Sequence, residues 1–312
     1  MKAAVVGCGG IGTAHVRNLL TLPDVDVACV VDANRELADA KAAEFGVPPL
    51  HDIADIPEAV DFVTVATPPQ AHYAVVRDLL ARGFHVFCEK PLTLRVAQGV
   101  ELKSAADAKG LHLGVGFKMR YESWFAKARE LMPQIGTLLS VATTKQQGFN
   151  GKEWIPRTGA MQELSSHDFD LIHWITGTRP TRMLNAHLSY RMGWEAEDGF
   201  SLLVEYANGM VGTLTGLYCE QMGWSGRDCT MRFHGEHGYV AIDRTERVVL
   251  HLAKPQEFTF DGCPPTFALE LGDFAAAVAG GPAHYPDAQA AIDSTWVVEH
   301  AYHTARVEPP RI

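Results

Sequence analysis

The run Gly7-Cys8-Gly9-Gly10-Ile11-Gly12 constrains this chain more than any other stretch. It fits G-x-G-x-x-G, directly after the apolar run Ala3 to Val6 and ahead of the amphipathic stretch His15 to Leu22. In such a strand-to-helix turn the first glycine makes the tight bend and the second lets the backbone approach a pyrophosphate. The third lets helix and strand pack closely, while the helix N-terminus offers N–H donors to phosphate. Gly7, Gly9, Gly10, Ile11 and Gly12 are therefore candidate cofactor contacts. Asp32 lies about 20 residues beyond Gly12, at the end of a second apolar run, where a carboxylate takes the ribose hydroxyls. A carboxylate there repels a 2′-phosphate, which favours NAD; Arg35, three residues on, leaves NADP open.

Strand-length apolar runs at Ala3 to Val6, Val27 to Val31, Phe62 to Ala66, Val86 to Cys88 and Leu113 to Val115 alternate with helix-period segments. Those segments are His15 to Leu22, Arg35 to Phe45, Ala71 to Arg82 and Val96 to Lys109. That alternation predicts an α/β nucleotide domain, a doubly wound parallel sheet over 1–120. Beyond it the rhythm changes. After a helix at Glu122 to Leu131, strands are expected near Leu138 to Lys145, Met183 to Tyr190, Ser201 to Tyr206, Met210 to Leu217 and Thr230 to His234, with turns at Asn208-Gly209 and Glu236-His237-Gly238. Helices at Thr266 to Ala279 and Asp287 to Arg306 close the chain. The segment 121–312 thus reads as a C-terminal α+β domain with a mostly antiparallel open sheet.

Composition narrows the partners. At 312 residues, 47% hydrophobic and 21% charged, the chain reads as a soluble globular protein. A net charge of -10 disfavours nucleic acid and anionic membrane, leaving a small molecule. No apolar run reaches the roughly 18 residues of a membrane span, and the first residues already read as a buried strand, so a cytoplasmic location is expected. The six cysteines include no C-x-x-C pair and read as reduced thiols, without metal.

Three further motifs lie downstream of the glycine turn: Ala66-Thr67-Pro68-Pro69 with His72, then Cys88-Glu89-Lys90-Pro91-Leu92, then Glu163-Leu164-Ser165-Ser166-His167-Asp168-Phe169-Asp170. Together they resemble the glucose-fructose oxidoreductase and inositol dehydrogenase family, Gfo/Idh/MocA, over essentially the whole chain and most closely in its N-terminal half. The resemblance implies a Rossmann domain, a substrate-binding and oligomerisation domain, and a homodimer or homotetramer. It also implies that Lys90 and His167 face the nicotinamide and serve a substrate hydroxyl. Thr67, Pro68, His72, Glu89 and Lys90 become cofactor-side candidates, with Pro68 and Pro69 read mainly as turn residues and His72 as a helix-start hydrogen-bonding residue.

The chemistry agrees with those residue types. Oxidising a secondary alcohol removes the hydroxyl proton as hydride leaves carbon, so a base and a cation beside the oxygen both help. Histidine titrates in the right range, and lysine serves as cation or base. Glu163, Ser166, His167 and Asp170 fall at i, i+3, i+4 and i+7, which predicts one polar helical stripe, with Leu164, Leu171 and Ile175 toward the core. Family members usually carry aspartate where Glu163 stands, so Glu163 either orients His167 or binds a substrate hydroxyl. Arg120 and Tyr121, after the last strand of the first domain, are substrate candidates or braces. Trp154, Arg157 and Trp224 are further candidates through stacking or forked hydrogen bonds, with core or interface packing the other reading of the tryptophans.

The expected activity is hydride transfer between NAD and a carbinol or ketone carbon of a sugar or cyclitol. Two other readings stay open at this point: redox-neutral elimination from a sugar using tightly held NAD, and a non-catalytic NAD sensor.

Overall fold

The computed structural model describes residues 1–220, 222, 228–243 and 246–307. The chain divides into two compact units, Met1–Lys118 with Pro265–Ile292, and Met119–Pro264 with Asp293 onward. The returning segment Pro265–Ile292 differs from the expected division at residue 120, which assigned everything after it to the second domain.

The first unit is built on six parallel strands, β1 (Lys2–Val6), β2 (Asp26–Val31), β3 (Pro49–Leu50), β4 (Phe62–Val65), β5 (His85–Cys88) and β6 (Leu113–Val115). Their order, β3-β2-β1-β4-β5-β6, reverses direction at β1, as in a doubly wound sheet. Helices α1 (Gly10–Leu19), α2 (Arg35–Phe45), α3 (Pro69–Ala81) and α4 (Val96–Lys109) make the crossovers. Both sheet faces are buried, which is why the strands read as unbroken apolar runs. Along β1, Ala3 and Val5 enter one core with Val16 and Leu19 of α1, while Ala4 and Val6 enter the other with Val76 and Leu80 of α3.

Helix α8 (Thr266–Val278) belongs to the first of these cores, and side-chain packing is the reason. Phe274 is fully buried, with ring centroids 5.6 Å from Phe62, 5.4 Å from Phe87 and 4.9 Å from Tyr285. Gly114 of β6 makes room for it, since a Cβ there would lie 2.7 Å from the Phe274 ring. Beyond the helix, the Val115 N–H donates to the Pro286 carbonyl at 2.8 Å. A contact between residues this distant in sequence leaves no local periodicity to read.

The second unit carries an eight-stranded sheet ordered β14-β13-β12-β11-β7-β10-β9-β8. Its expected strands are present as β7 (Leu138–Gly148), β8 (Pro180–Ser189), β9 (Gly199–Tyr206), β10 (Val211–Cys219) and β11 (Asp228–Gly235). Three short strands add to that expectation: β12 (Gly238–Asp243), β13 (Arg247–His251) and β14 (Gln256–Thr259). The β7–β10 ladder is parallel and the other ladders are antiparallel. Helices α5 (Ser123–Leu131), α6 (Ile155–Glu163), α7 (Ser166–Thr176) and the later part of α9 (Ala288–Ala305) share one apolar core with the sheet, including Phe125, Leu171, Leu214, Phe233 and Ala301. On β7 the helix-facing set is Val141, Thr143, Lys145 and Gln147, all buried, so this face carries polar side chains at its centre. Among the described residues no helix is long and apolar enough to cross a membrane.

Removing the Phe274 ring would leave a cavity between Phe62, Phe87 and Tyr285. Phe274→Ala is expected to destabilise the protein by about 3–5 kcal/mol, read from the midpoint of chemical unfolding. A change within error would mean that α8 does not hold the first unit together.

Candidate active site

The glycine turn has the geometry its spacing predicts. Gly7 sits at φ +97°, in the left-handed region, and a Cβ on Gly12 would lie 1.7 Å from the Gly7 carbonyl oxygen. Only glycine at both places lets α1 start directly over the end of β1. A Cβ added to Gly9 or Gly10 would meet nothing within 4 Å, so the turn keeps an open backbone face, with Ile11 exposed beside it. Helix α1 begins there with Gly9 at its N-cap and no side-chain cap, which suits a phosphate. Asp32 closes β2 with both carboxylate oxygens accepting backbone N–H groups, from Cys8 at 2.8 Å and Asn34 at 2.9 Å. The carboxylate is thereby oriented beside the turn, with Arg35 exposed at the start of α2. These residues fit a dinucleotide whose ribose meets Asp32.

Burial pushes the Cys8 thiol up to about 11, with Asp32 adding to the effect, which disfavours the thiolate at neutral pH.

Next along the first unit, Thr67 is half-buried, Pro68 is exposed at the N-cap of α3, and His72 is buried. The two His72 ring nitrogens lie 2.7 Å from the Pro91 carbonyl oxygen and 2.8 Å from that of Thr67. Burial holds its pKa below the usual histidine value despite those carbonyls. His72, expected among the cofactor contacts, thus turns both ring nitrogens to backbone carbonyls, and the neutral ring donates to one of them. Glu89 also turns inward. Its carboxylate meets His15 Nε2 at 3.0 Å and accepts the Lys90 N–H at 3.2 Å, so it too braces the chain. Lys90 itself is half-buried.

In the second unit the expected single stripe is broken. Helix α6 ends at Glu163 and α7 starts at Ser166, so Glu163 and His167 stand on different helices. The intervening serines are poor helix formers that favour helix starts, and Gly159, at φ +85°, already kinks α6. The break sets a clear contrast: through 160–172 every residue is buried except Glu163 and His167. The neighbours of His167 are anchored in protein. Asp168 meets Lys145 of β7 at 3.0 Å, and the Ser166 carbonyl accepts from Ser294 Oγ of α9 at 3.2 Å. Asp170 receives a two-pronged bond from Arg120, Nε at 2.9 Å and the adjacent terminal nitrogen. Burial raises the Asp168 carboxyl, against the pull of Lys145.

Arg120 accordingly braces Asp170. Tyr121 is half-buried next to it. Lys152 lies 3.8 Å from Glu163 and over the Trp154 ring at 5.0 Å, placing Trp154 near that carboxylate, whereas Arg157 is exposed beside an equally exposed Glu195. Trp224 lies outside the described residues.

Family comparisons agree with this geometry. Residues 1–117 match the model of the oxidoreductase family with an NAD-binding Rossmann fold, and residues 125–241 match the GFO/IDH/MocA C-terminal domain. The chain belongs to the Gfo/Idh/MocA family. The scyllo-inositol 2-dehydrogenase (NAD(+)) of Bacillus subtilis is 25% identical over 303 residues, 90% of this chain and 87% of that one. An uncharacterized oxidoreductase of the same species, YrbE, is 26% identical over 57% of this chain and 54% of its own. The fold of an inositol dehydrogenase homolog from Azotobacter vinelandii, solved with NADH and myo-inositol, superposes with a TM-score of 0.85 at 20% identity, over 98% of this chain and 95% of that one.

Several residues that shape this Gfo/Idh/MocA chain escaped sequence reading. Lys145 was readable in principle, as a cation in register with Val141 and Thr143 on a buried strand face. Glu197 was not. Fully buried, it accepts the Met161 N–H at 2.7 Å and a bond from the Tyr302 hydroxyl, and burial pushes its carboxyl up to about 7. A Cβ on Gly159 would lie 2.4 Å from that carboxylate, so the kink in α6 is made around it.

Gly12→Ala is expected to weaken NAD by at least about tenfold in calorimetry, because α1 must move off the turn; unchanged affinity would mean the turn does not carry the cofactor. Arg120→Ala is expected to lower stability by about 3–5 kcal/mol, the usual penalty for stranding a buried carboxylate, with much of the loss recovered in the Arg120→Ala/Asp170→Asn double variant.

Proposed function

We propose that this protein is an NAD-dependent dehydrogenase that moves hydride between the nicotinamide and a secondary alcohol or ketone carbon of a cyclitol or sugar. The observation that carries the reading is that Glu163 and His167 are the two part-exposed side chains in an otherwise buried stretch. A structural role would favour burial of the histidine with its neighbours; an acid and a histidine left part-exposed on an anchored backbone suit proton transfer to a ligand. The inositol dehydrogenases among its relatives support the substrate class.

When bound, NAD supplies the hydride acceptor or donor. The chain's own groups manage the proton. In the oxidative direction the substrate hydroxyl gives up its proton to a base while its carbon loses hydride, and Lys90 and His167 divide the tasks of base and alkoxide-stabilising donor. Glu163 holds a substrate hydroxyl or orients His167. Trp154 and Tyr121 supply surface for the ring's C–H edges. Asp32 receives the ribose hydroxyls, which favours NAD over NADP. In the same reading the chain pairs as a homodimer or homotetramer through the sheet face opposite the helices, where Thr144, Leu203, Val211 and Val249 are only part-buried within one chain. A cytoplasmic setting goes with this assignment.

The test is NADH formation with NAD and a panel of inositols, aldoses, aldonates and amino sugars. Turnover on one ring class is expected, and Lys90→Ala should lower kcat by about 100-fold or more with NAD affinity nearly intact. Turnover surviving within a few-fold would overturn the role of Lys90. Asp32→Ala should weaken NAD more than NADP; equal losses would remove the ribose contact. Tightly held NAD that never exchanges, with no net NADH, would point instead to redox-neutral chemistry.

A further inference from the structure

Behind Lys90 the first unit buries three titratable groups that the proposed reaction does not use. His15, on the second turn of α1, is fully buried, and its Nε2 lies 3.0 Å from Glu89 Oε1. The other Glu89 oxygen accepts the Lys90 N–H. Glu270 of α8 is fully buried, and neither of its carboxyl oxygens has a hydrogen-bond partner among the described residues. One ligand atom from each of the three residues lies within 4.8 Å of the others, a span closed by a small side-chain rotation or by one bridging water. The site is shaped for these groups. A Cβ on Gly116 would come within 2.9 Å of the Glu89 carboxylate, and the rings of Phe87 and Phe267 stand edge-on to His15 at 5.9 and 5.8 Å.

Two carboxylates and an imidazole in such surroundings hold excess negative charge, and each buried ion costs several kcal/mol. The groups facing Glu270 are His15 from α1, Glu89 just after β5, and Lys118 after β6, whose ammonium sits 5.2 Å over the Phe267 ring. The environments of the two acids differ. Burial alone would raise Glu89, but His15 and Lys90 outweigh it and hold it below its usual range. Burial, and then the Glu89 charge, push Glu270 well above its own. Pairs of acids driven apart in this way divide into a proton holder and an anion.

We propose that Glu270 is a protonated acid that completes a buried His15–Glu89–Glu270 network, and that this network is the positioning device for Lys90. The proton assignment stands on geometry; its consequence for Lys90 rests on the function proposed above. Because α8 comes from the returning segment, the network also ties that segment to the backbone of Lys90.

The first measurement needs no substrate. Thermal midpoints of the full chain and of Glu270→Gln are followed from about pH 5 to about pH 8, with and without EDTA. In the unfolded chain Glu270 ionises near its ordinary value of about 4.3. The folded chain keeps the proton, so stability is lost as pH rises from there toward the folded pKa. Gln, which carries no such proton, should show a midpoint advantage over the wild type that widens with pH. A loss for Glu270→Gln that grows toward pH 8, or a pH-independent difference, would overturn the proposal. EDTA lowering the wild-type midpoint alone would replace the proton by a divalent cation and overturn it equally.

The second measurement uses the substrate found by the panel. Glu270→Ala should lower kcat at least about tenfold with little change in KM, and Glu270→Gln should restore it. Equal losses in both variants, or none in Glu270→Ala, would remove the positioning role. If the wild type turns over no substrate, the functional reading fails, while the midpoints still decide the proton.

Discussion

The first unit depends on one backbone contact, the approach of Gly12 to the Gly7 carbonyl, where a single added carbon would sit at 1.7 Å. That contact sets where α1 begins over the end of β1, and the helix's periodicity then sets which of its side chains turn inward. Three residues after Gly12, almost one turn, His15 points inward to Glu89, whose second oxygen holds the Lys90 N–H. A turn that reads as a phosphate cradle is thus also the first link in a chain ending at the lysine assigned to chemistry. Loosening the turn would disturb both ends together.

How much of this was legible depends on the range of the interactions. Helices α2 and α4 have the bounds expected from the sequence, because helix signals are local to each segment. Asp32 was legible for the same reason, as the end of an apolar run at a known distance from a turn. Helix α8 was legible as a helix and illegible as part of the first unit, since its allegiance depends on Phe274 meeting Phe62 and Phe87. The short strands β12 to β14 carry weak alternation over few residues, and tertiary pairing decides them.

The stretch 163–170 shows the limit more finely. Spacing alone put Glu163, Ser166, His167 and Asp170 on one stripe. The chain instead breaks at two serines and buries Ser166 and Asp170 against α9 and Arg120. Residue types marked the stretch as polar, yet polarity did not distinguish part-exposed side chains from those that anchor the backbone. Arg120 and His72 are the clearest cases: each has the chemistry of a ligand contact, and each is turned to partners within the protein.

Both units reach the same arrangement by different routes. Lys90 follows Glu89, which is held by His15; His167 precedes Asp168, which is held by Lys145. In each, the residue next in sequence is a buried carboxylate with a basic partner, and the residue assigned to chemistry is left part-exposed. Buried pairs of this kind add little net stability once desolvation is counted, but breaking one leaves a stranded charge, so they specify backbone position sharply. Placing the constraint one residue away fixes the backbone under the side chain assigned to chemistry.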